Sequence, residues 1–188
     1  AAPFKEMEPE MTHAIEFGTE WRFFQHRLGV NLTYYRTNTY NQFFKLPALA
    51  GDKYAYRYVN AGNIQNRGWE LTLNGTPVLT PDFNWKTSVN FSTNKNKIVK
   101  LHEDLKEMIY GPTSFSSSYA MKLIKGGSIG DIYGKAFVCD DAGNIVYETE
   151  GDNKGLPLVE GDGNTVKVGN ANPVFMMGWD HTFSYKGF

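Results

Sequence analysis

The sequence is poor in the features that mark metal, redox and nucleic-acid chemistry. Its single cysteine, Cys139, excludes an internal disulfide and has no CxxC or Cys/His companion. The four histidines, His13, His26, His102 and His181, fall in neither HxxxH nor HExxH spacing, so no zinc site is expected. Net charge is -1 with both signs evenly mixed, which removes the basic footprint of a nucleic-acid binder and any polybasic membrane-surface segment. Gly126-Gly127-Ser128-Ile129-Gly130 has GxSxG spacing, but the strand and helix that frame a nucleophile elbow are not legible around it, and an enzyme is not expected. No run approaches the roughly eighteen apolar residues of a transmembrane helix, and the N-terminus lacks a signal-peptide pattern. The membrane stays open nonetheless, because a barrel strand needs only about ten alternating residues.

What the chain has instead is aromatics and glycine. There are 13 Phe, 11 Tyr, 4 Trp and 19 Gly, beside a mean hydropathy of -0.44. Rings mixed with Asn, Thr and Gly suit strands and turns better than helices. A chain of 188 residues could bury an ordinary core, so a soluble domain is one reading. The chain begins at Ala1 without an initiator Met and stops at Phe188 just after an aromatic strand, and both ends are expected to be cuts through a longer protein.

Five segments alternate with period two. Ile15, Phe17, Thr19, Trp21 and Phe23 oppose Glu16, Gly18, Glu20 and Arg22; Leu28, Val30, Leu32 and Tyr34 oppose Gly29, Asn31, Thr33 and Tyr35. Trp69, Leu71 and Leu73 oppose Glu70, Thr72 and Asn74; Trp85, Thr87, Val89 and Phe91 oppose Lys86, Ser88, Asn90 and Ser92. The last sets Phe175, Met177, Trp179, His181, Phe183 and Tyr185 against Met176, Gly178, Asp180, Thr182 and Ser184. Strands are therefore expected at about 12–24, 27–45, 58–77, 83–100 and 173–186, with a long outer loop over about 101–172. His181 stands out as the one exception on the apolar faces.

A soluble sandwich also alternates, but the connections separate the classes. Short links near residues 24–27 and Pro77 to Asn84 alternate with long ones, as in outer-membrane barrels with short periplasmic turns and long outer loops. Trp21, Phe23 and Phe24, Phe83 and Trp85, and Tyr185 and Phe188 cluster at the short turns like one girdle of the headgroup boundary. The fold class expected is all-β, an antiparallel transmembrane β-barrel segment with long outer loops. Its polar face would line the lumen and its apolar face would meet lipid. The alternative is a soluble β-rich carbohydrate-binding module, in which Leu28, Val30, Leu32, Leu71 and Leu73 would contact a second sheet.

Other local patterns are weaker. The acidic loop Asp140 to Asn164 lacks the DxDxDG run and closing Glu of a calcium loop, and a solvated hairpin turning at Ala142-Gly143 explains it better. GGSIGDIYG, Gly126 to Gly134, lacks the strand, helix and Lys-Ser/Thr pair of a phosphate cradle. The NxS/T triplets at Asn31, Asn74 and Asn90 lie within expected strands and carry no weight. Tyr54, Tyr56 and Tyr58 alternate as a strand would, so packing is preferred there. Tyr110, Phe115, Tyr119 and Tyr133, in or near long loops, are the candidate ligand-stacking residues.

MTHAIEFGTEWRFF, LGVNLTYYRTNTYNQFF, YVNAGNIQNRGWELTLNGTPV, FNWKTSVNFSTNKNKIVKL, GGSIGDIYG and NPVFMMGWDHTFSYKGF together resemble the SusC/RagA family of TonB-linked outer-membrane receptors of Bacteroidetes. The resemblance implies a barrel of about 22 strands with a plugged lumen, of which this chain is a piece toward the C-terminal half. It also implies an outer-membrane location among lipid, a SusD-like lipoprotein partner, and coupling to the TonB complex through parts outside this chain. The implied cargo is oligosaccharide or peptide, and no cofactor is implied. The region Lys95 to Asn172 is expected to carry partner and ligand contacts, with the strands as scaffold.

Overall fold

The computed structural model describes residues 8–47, 53–54, 56–101, 107–110, 119–160 and 165–187. All regular structure among them is antiparallel strand, and the chain divides into two units. Strands are numbered in chain order.

Unit 1 comprises residues 1–100 and 173–188. Its sheet joins β1 (Met11–Phe23), β2 (Leu28–Pro47), β3 (Tyr56–Leu79), β4 (Phe83–Leu101) and β11 (Met176–Tyr185) in the order β1-β2-β3-β4-β11. Residues directly opposite share a face, so the register builds rows across the sheet. Phe17 faces Tyr34 and Tyr34 faces Trp69; Thr19, Leu32 and Leu71 form the next row, then Trp21, Val30 and Leu73. Across β4 and β11, Val89 faces Trp179 and Trp85 faces Phe183. The apolar set thus forms one continuous face. Polar residues hold most of the other, on which Ile64 and Ile98 are buried, and it is bridged from β3 to β4 by Thr72 Oγ1 donating to Asn90 Oδ1 (3.0 Å) and Asn96 Nδ2 donating to Asn66 Oδ1 (2.9 Å).

Within the described sheet of unit 1 no second layer packs on the apolar face. Leu28, Val30, Leu32, Leu71 and Leu73 all stay half-buried, while Phe17 is 69% and Trp179 63% exposed. A two-sheet core would bury these five aliphatic side chains fully, so the sandwich reading fails on its own criterion. The sheet is open, with β1 and β11 at its two edges.

Two local devices set its geometry. At the middle of β3, Gly68 sits opposite Tyr35, whose ring lies over the glycine and whose hydroxyl reaches Thr93 O on β4 at 3.5 Å. A strand glycine permits this close approach of a ring and a neighbouring backbone. In β2 the register shifts between Thr39 and Phe43, around Asn41 at φ 57°, as a bulge does.

The short turns lie together at one end of the sheet. Phe24, Gln25 and His26 all take left-handed backbone (φ 53°, 54° and 68°), and Arg27 N–H donates to Phe24 O at 3.2 Å. Such residues cost roughly 1–2 kcal/mol each. Arg27 offsets part of this, its guanidinium donating to Thr76 O (3.1 Å) and Pro77 O (2.6 Å). The second turn is tighter than the expected Pro77 to Asn84. β3 runs to Leu79, Thr80 N–H donates to Phe83 O (2.8 Å), and Lys186 N–H donates to Asp82 O (2.9 Å).

Unit 2 is Leu101–Asn172. The stretch expected as a long outer loop with a hairpin at Ala142-Gly143 carries further strands. β5 (Glu107–Tyr110), β6 (Tyr119–Ile124), β7 (Asp131–Gly134) and β10 (Val166–Asn170) form a sheet in the order β10-β7-β6-β5, and β8 (Ala136–Phe137) pairs with β9 (Val159–Glu160). Between β8 and β9 the chain turns back twice and closes a ring of backbone bonds: Val138 N–H to Leu158 O, Leu158 N–H to Val146 O, and Val146 N–H to Val138 O (2.8–2.9 Å). Ala120 and Leu123 of β6 are buried.

Candidate functional site

At the short-turn end the apolar face becomes aromatic. Trp85 and Phe183 stack with centroids 5.8 Å apart, and Phe83 stacks on Phe183 at 6.4 Å. His181 belongs to this cluster, where its Nδ1 accepts a hydrogen bond from Trp85 Nε1 (3.1 Å) and Trp179 lies 4.6 Å away. Trp179 Nε1 in turn donates to Thr87 Oγ1 (2.9 Å). Indole donors that find partners beside an apolar surface suit an interfacial belt. Phe188, expected in the same girdle, lies outside the described residues.

His181 is not the only exception on this face. Arg36 lies two residues beyond Tyr34 and opposite Arg67, itself two residues from Trp69, so both guanidiniums fall in the apolar rows. Extending the alternation past Tyr34 and ahead of Trp69 would have shown this in the sequence. The polar face carries Glu16, Glu20, Arg22, Glu70, Lys86 and Asp180, with Arg22 Nε paired to Glu20 Oε1 at 2.7 Å. A polar recess between β3, β4 and β11 is lined by Asn74, Thr76, Lys86, Ser88, Asp180 and Thr182.

The two candidate ligand residues whose side chains are described do not share a face. Tyr119 sits opposite Gly134 and Tyr133 opposite Ala120, so consecutive register positions send the two rings to opposite faces of the β6–β7 pair. Tyr119 is 47% exposed, whereas Tyr133 is half-buried with Lys122 Nζ 5.8 Å from its ring centre. Phe115 and the side chain of Tyr110 lie outside the described residues. Tyr56 and Tyr58 open β3 with rings 5.8 Å apart, and Tyr54 precedes the strand.

The polar centre of unit 2 is Asp131, only 1% exposed. Its carboxylate accepts from Ser128 N–H (2.9 Å), Asn170 Nδ2 (2.7 Å) and Lys167 Nζ (2.6 Å), tying the Gly126–Gly130 turn to β10. The GGSIGD segment is thus a turn closed by its own acid. Nothing local in the sequence points to partners 36 and 39 residues away. Burial pushes the Asp131 carboxyl up, but the bonds from Lys167, Ser128 and Asn170 and the Lys167 charge outweigh it and hold it below the ordinary carboxylate range. A depressed carboxyl contributes stability that is complete above its unfolded value and lost as pH falls through its folded value. Hydrogen-exchange protection at 128–134 and 166–170 in the intact receptor is therefore expected to hold at neutral pH and decline below about pH 4. Asp131→Asn should lower protection and flatten this profile, at a cost of about 1–3 kcal/mol. A wild-type profile flat to pH 3 would contradict this role.

Asp140 is spent on a turn. Its Oδ1 accepts from Ala142 N–H (3.0 Å) and Asn144 N–H (2.8 Å), and Oδ2 from Asn144 Nδ2 (3.2 Å), with Gly143 at φ 84°. The hairpin expected at Ala142-Gly143 is present, bridged by Cys139 and Ile145.

Residues 2–122 match the family model described as TonB dependent receptor-like, beta-barrel. TonB-dependent receptor P3 of Formosa agariphila is 28% identical over 95% of this chain and 19% of its own length. TonB-dependent receptor SusC of Bacteroides thetaiotaomicron is 30% identical over 49% of this chain and 9% of its own length. Among solved structures, the RagAB peptide transporter is similar in fold, with TM-score 0.68 and 21% identity over 95% of this chain and 20% of that one. The chain spans about a fifth of the length of the relatives that match it over most of its own length. With an uncovered apolar face, short turns at one end and a folded insertion between two wall strands, the chain belongs to the TonB-dependent receptor-like β-barrel family, as a segment of an outer-membrane barrel wall.

Proposed function

We propose that this chain supplies part of the wall and an outer recognition unit of a nutrient importer that takes up oligosaccharides with a SusD-like lipoprotein at its outer mouth. Energy comes from the TonB complex through parts of the receptor outside these residues. The observation that carries the reading is the ordered unit Leu101–Asn172, inserted between neighbouring strands β4 and β11 of a sheet whose apolar face is left bare. A plain strand connection needs only a few residues, and recognition commonly sits on insertions held by a rigid frame. Tyr119, with its ring exposed, is the strongest of the four candidate ligand residues for stacking on a sugar. Tyr110, Phe115 and Tyr133 are secondary candidates. Peptide is the competing cargo, favoured by the fold likeness to a peptide transporter.

Uptake of a panel of oligosaccharides and peptides by a strain lacking the full-length gene, with and without complementation, decides the cargo. The lobe between β8 and β9 can be excised cleanly, because Ala136 sits directly opposite Glu160. Replacing residues 137–159 with a short Gly-Ser link should cut lipoprotein co-purification or uptake about tenfold while the barrel stays heat-modifiable. Loss of the folded barrel, or unchanged binding and uptake, would remove the recognition role from this lobe.

A further inference from the structure

We propose that the apolar face of the sheet carries a binding site for a phosphate-bearing lipid of the outer leaflet, built from Arg36, Arg67, Lys95 and Lys97. Arg36 and Arg67 are direct cross-strand partners. Lys95 and Lys97 continue the site onto β4. The Thr72–Asn90 and Asn66–Asn96 bonds join like positions on the polar face, so the odd residues of β4 fall on the apolar one, with Lys95 beside Arg67 and Lys97 beside Gln65. All four cations are exposed, and none forms a salt bridge with another described residue. When the Gln65 amide is turned to satisfy both its ends, its oxygen accepts from Arg36 Nε (3.2 Å) and Nη2 (2.8 Å), which steadies that guanidinium.

Three features point to a lipid and not to a soluble anion. First, the face is charge-selective: the acidic residues Glu16, Glu20, Glu70 and Asp180 all fall on the opposite face, and the unit 1 strand rows of the apolar face from Met11 to Phe23 and from Gln65 to Leu79 contain no acid. Second, the cations lie just beyond an aromatic row, where Tyr34 and Trp69 have centroids 4.8 Å apart and Phe91 stacks on Phe175 at 5.7 Å. Beneath Arg36 and Arg67, a shallow apolar groove is lined by Phe17, Thr19, Leu32, Tyr34 and Trp69, shaped for an acyl chain. Third, the height is right. Leu28 at the short-turn end and Arg36 are eight residues apart, about 20 Å of membrane depth at a rise of about 3.3 Å and a tilt of about 40°, against an apolar band of about 25 Å. The row therefore stands within about 5 Å of the outer edge of that band, where the long Arg and Lys side chains can snorkel to a headgroup phosphate. The site rests on the family assignment alone and is independent of the cargo.

The test uses the full-length receptor, purified in mild detergent and in nanodiscs containing bisphosphorylated lipid A, with bound lipid counted by native mass spectrometry. At least one lipid A is expected to stay with the wild type. Arg36→Gln/Arg67→Gln/Lys95→Gln/Lys97→Gln should retain at least tenfold less, and the charge-preserving Arg36→Lys/Arg67→Lys should keep most of it. If the neutral variant fails to assemble, wild-type receptor offered enzymatically dephosphorylated lipid A gives the same readout, and retention should again fall tenfold. Equal retention of phosphorylated and dephosphorylated lipid would overturn the proposal. So would displacement of lipid A by millimolar inorganic phosphate, which would make this a simple anion site.

Discussion

Gly68→Ala in the full-length receptor is expected to cut the yield of heat-modifiable barrel about tenfold or more. A Cβ built at Gly68 would run into the backbone oxygen of Thr93 and would lie 2.7 Å from Tyr35 Oη and 2.8 Å from its Cζ. The ring could swing away, but the Thr93 carbonyl belongs to the neighbouring strand, so relief requires parting β3 from β4. Overpacking costs about 1–3 kcal/mol where side chains yield, and a backbone obstacle puts this site at the upper end or beyond. Gly29→Ala is the matched control. It lies within β2 between β1 and β3, and its added Cβ would meet only Asn74, at an ordinary contact of 3.8 Å, so assembly should be unchanged. Equal behaviour of the two variants in a heat-modifiability assay would show that the Tyr35–Gly68–Thr93 approach does not govern assembly.

Leu71→Arg should destabilise the receptor in a bilayer by about 2–4 kcal/mol, while Thr72→Arg next to it should change stability little. The two residues are adjacent on β3 and point to opposite faces. Leu71 lies in the Leu32 row, between the two aromatic levels, where a guanidinium would sit in hydrocarbon far from water. Thr72 joins Asn90 on the polar face, where the new charge can be hydrated. Denaturant-dependent folding into lipid vesicles measures both, and similar losses for the two variants would reverse the assignment of faces or remove it.

Much of the wall is legible in the sequence because a strand buried on one side repeats every two residues. Period alone groups the apolar residues within each strand, such as Phe17 with Trp21 on β1 and Leu32 with Tyr34 on β2. The alternation of short and long connections then favours a barrel over a sandwich. Legibility fails where the pattern meets charge. Arg36 and Arg67 keep the period but break the apolar code, so a reading that stops at the last apolar residue stops one pleat short of the basic row. It fails again within Leu101–Asn172. The Asp131 bonds to Lys167 and Asn170 are long-range, and so is the pairing of β8 with β9. The candidate ligand residues stand out by aromaticity and loop position, and register, which neither reveals, sends Tyr119 and Tyr133 to opposite faces.

The sequence by itself determined which residues share a face, where the short turns fall, and that the chain resembles an outer-membrane receptor, because side-chain period and turn chemistry are local properties. Only the tertiary structure decided that the apolar face of the described sheet goes uncovered, that the long insertion is a folded unit, and that Arg36, Arg67 and Lys95 line up across three strands with Lys97 one pleat beyond. Each of those depends on register between strands far apart in sequence. Local propensity leaves register open, and it is the shared packing of Tyr35 over Gly68, the bulge at Asn41 and the bonds of Arg27 to the next strand that pin it.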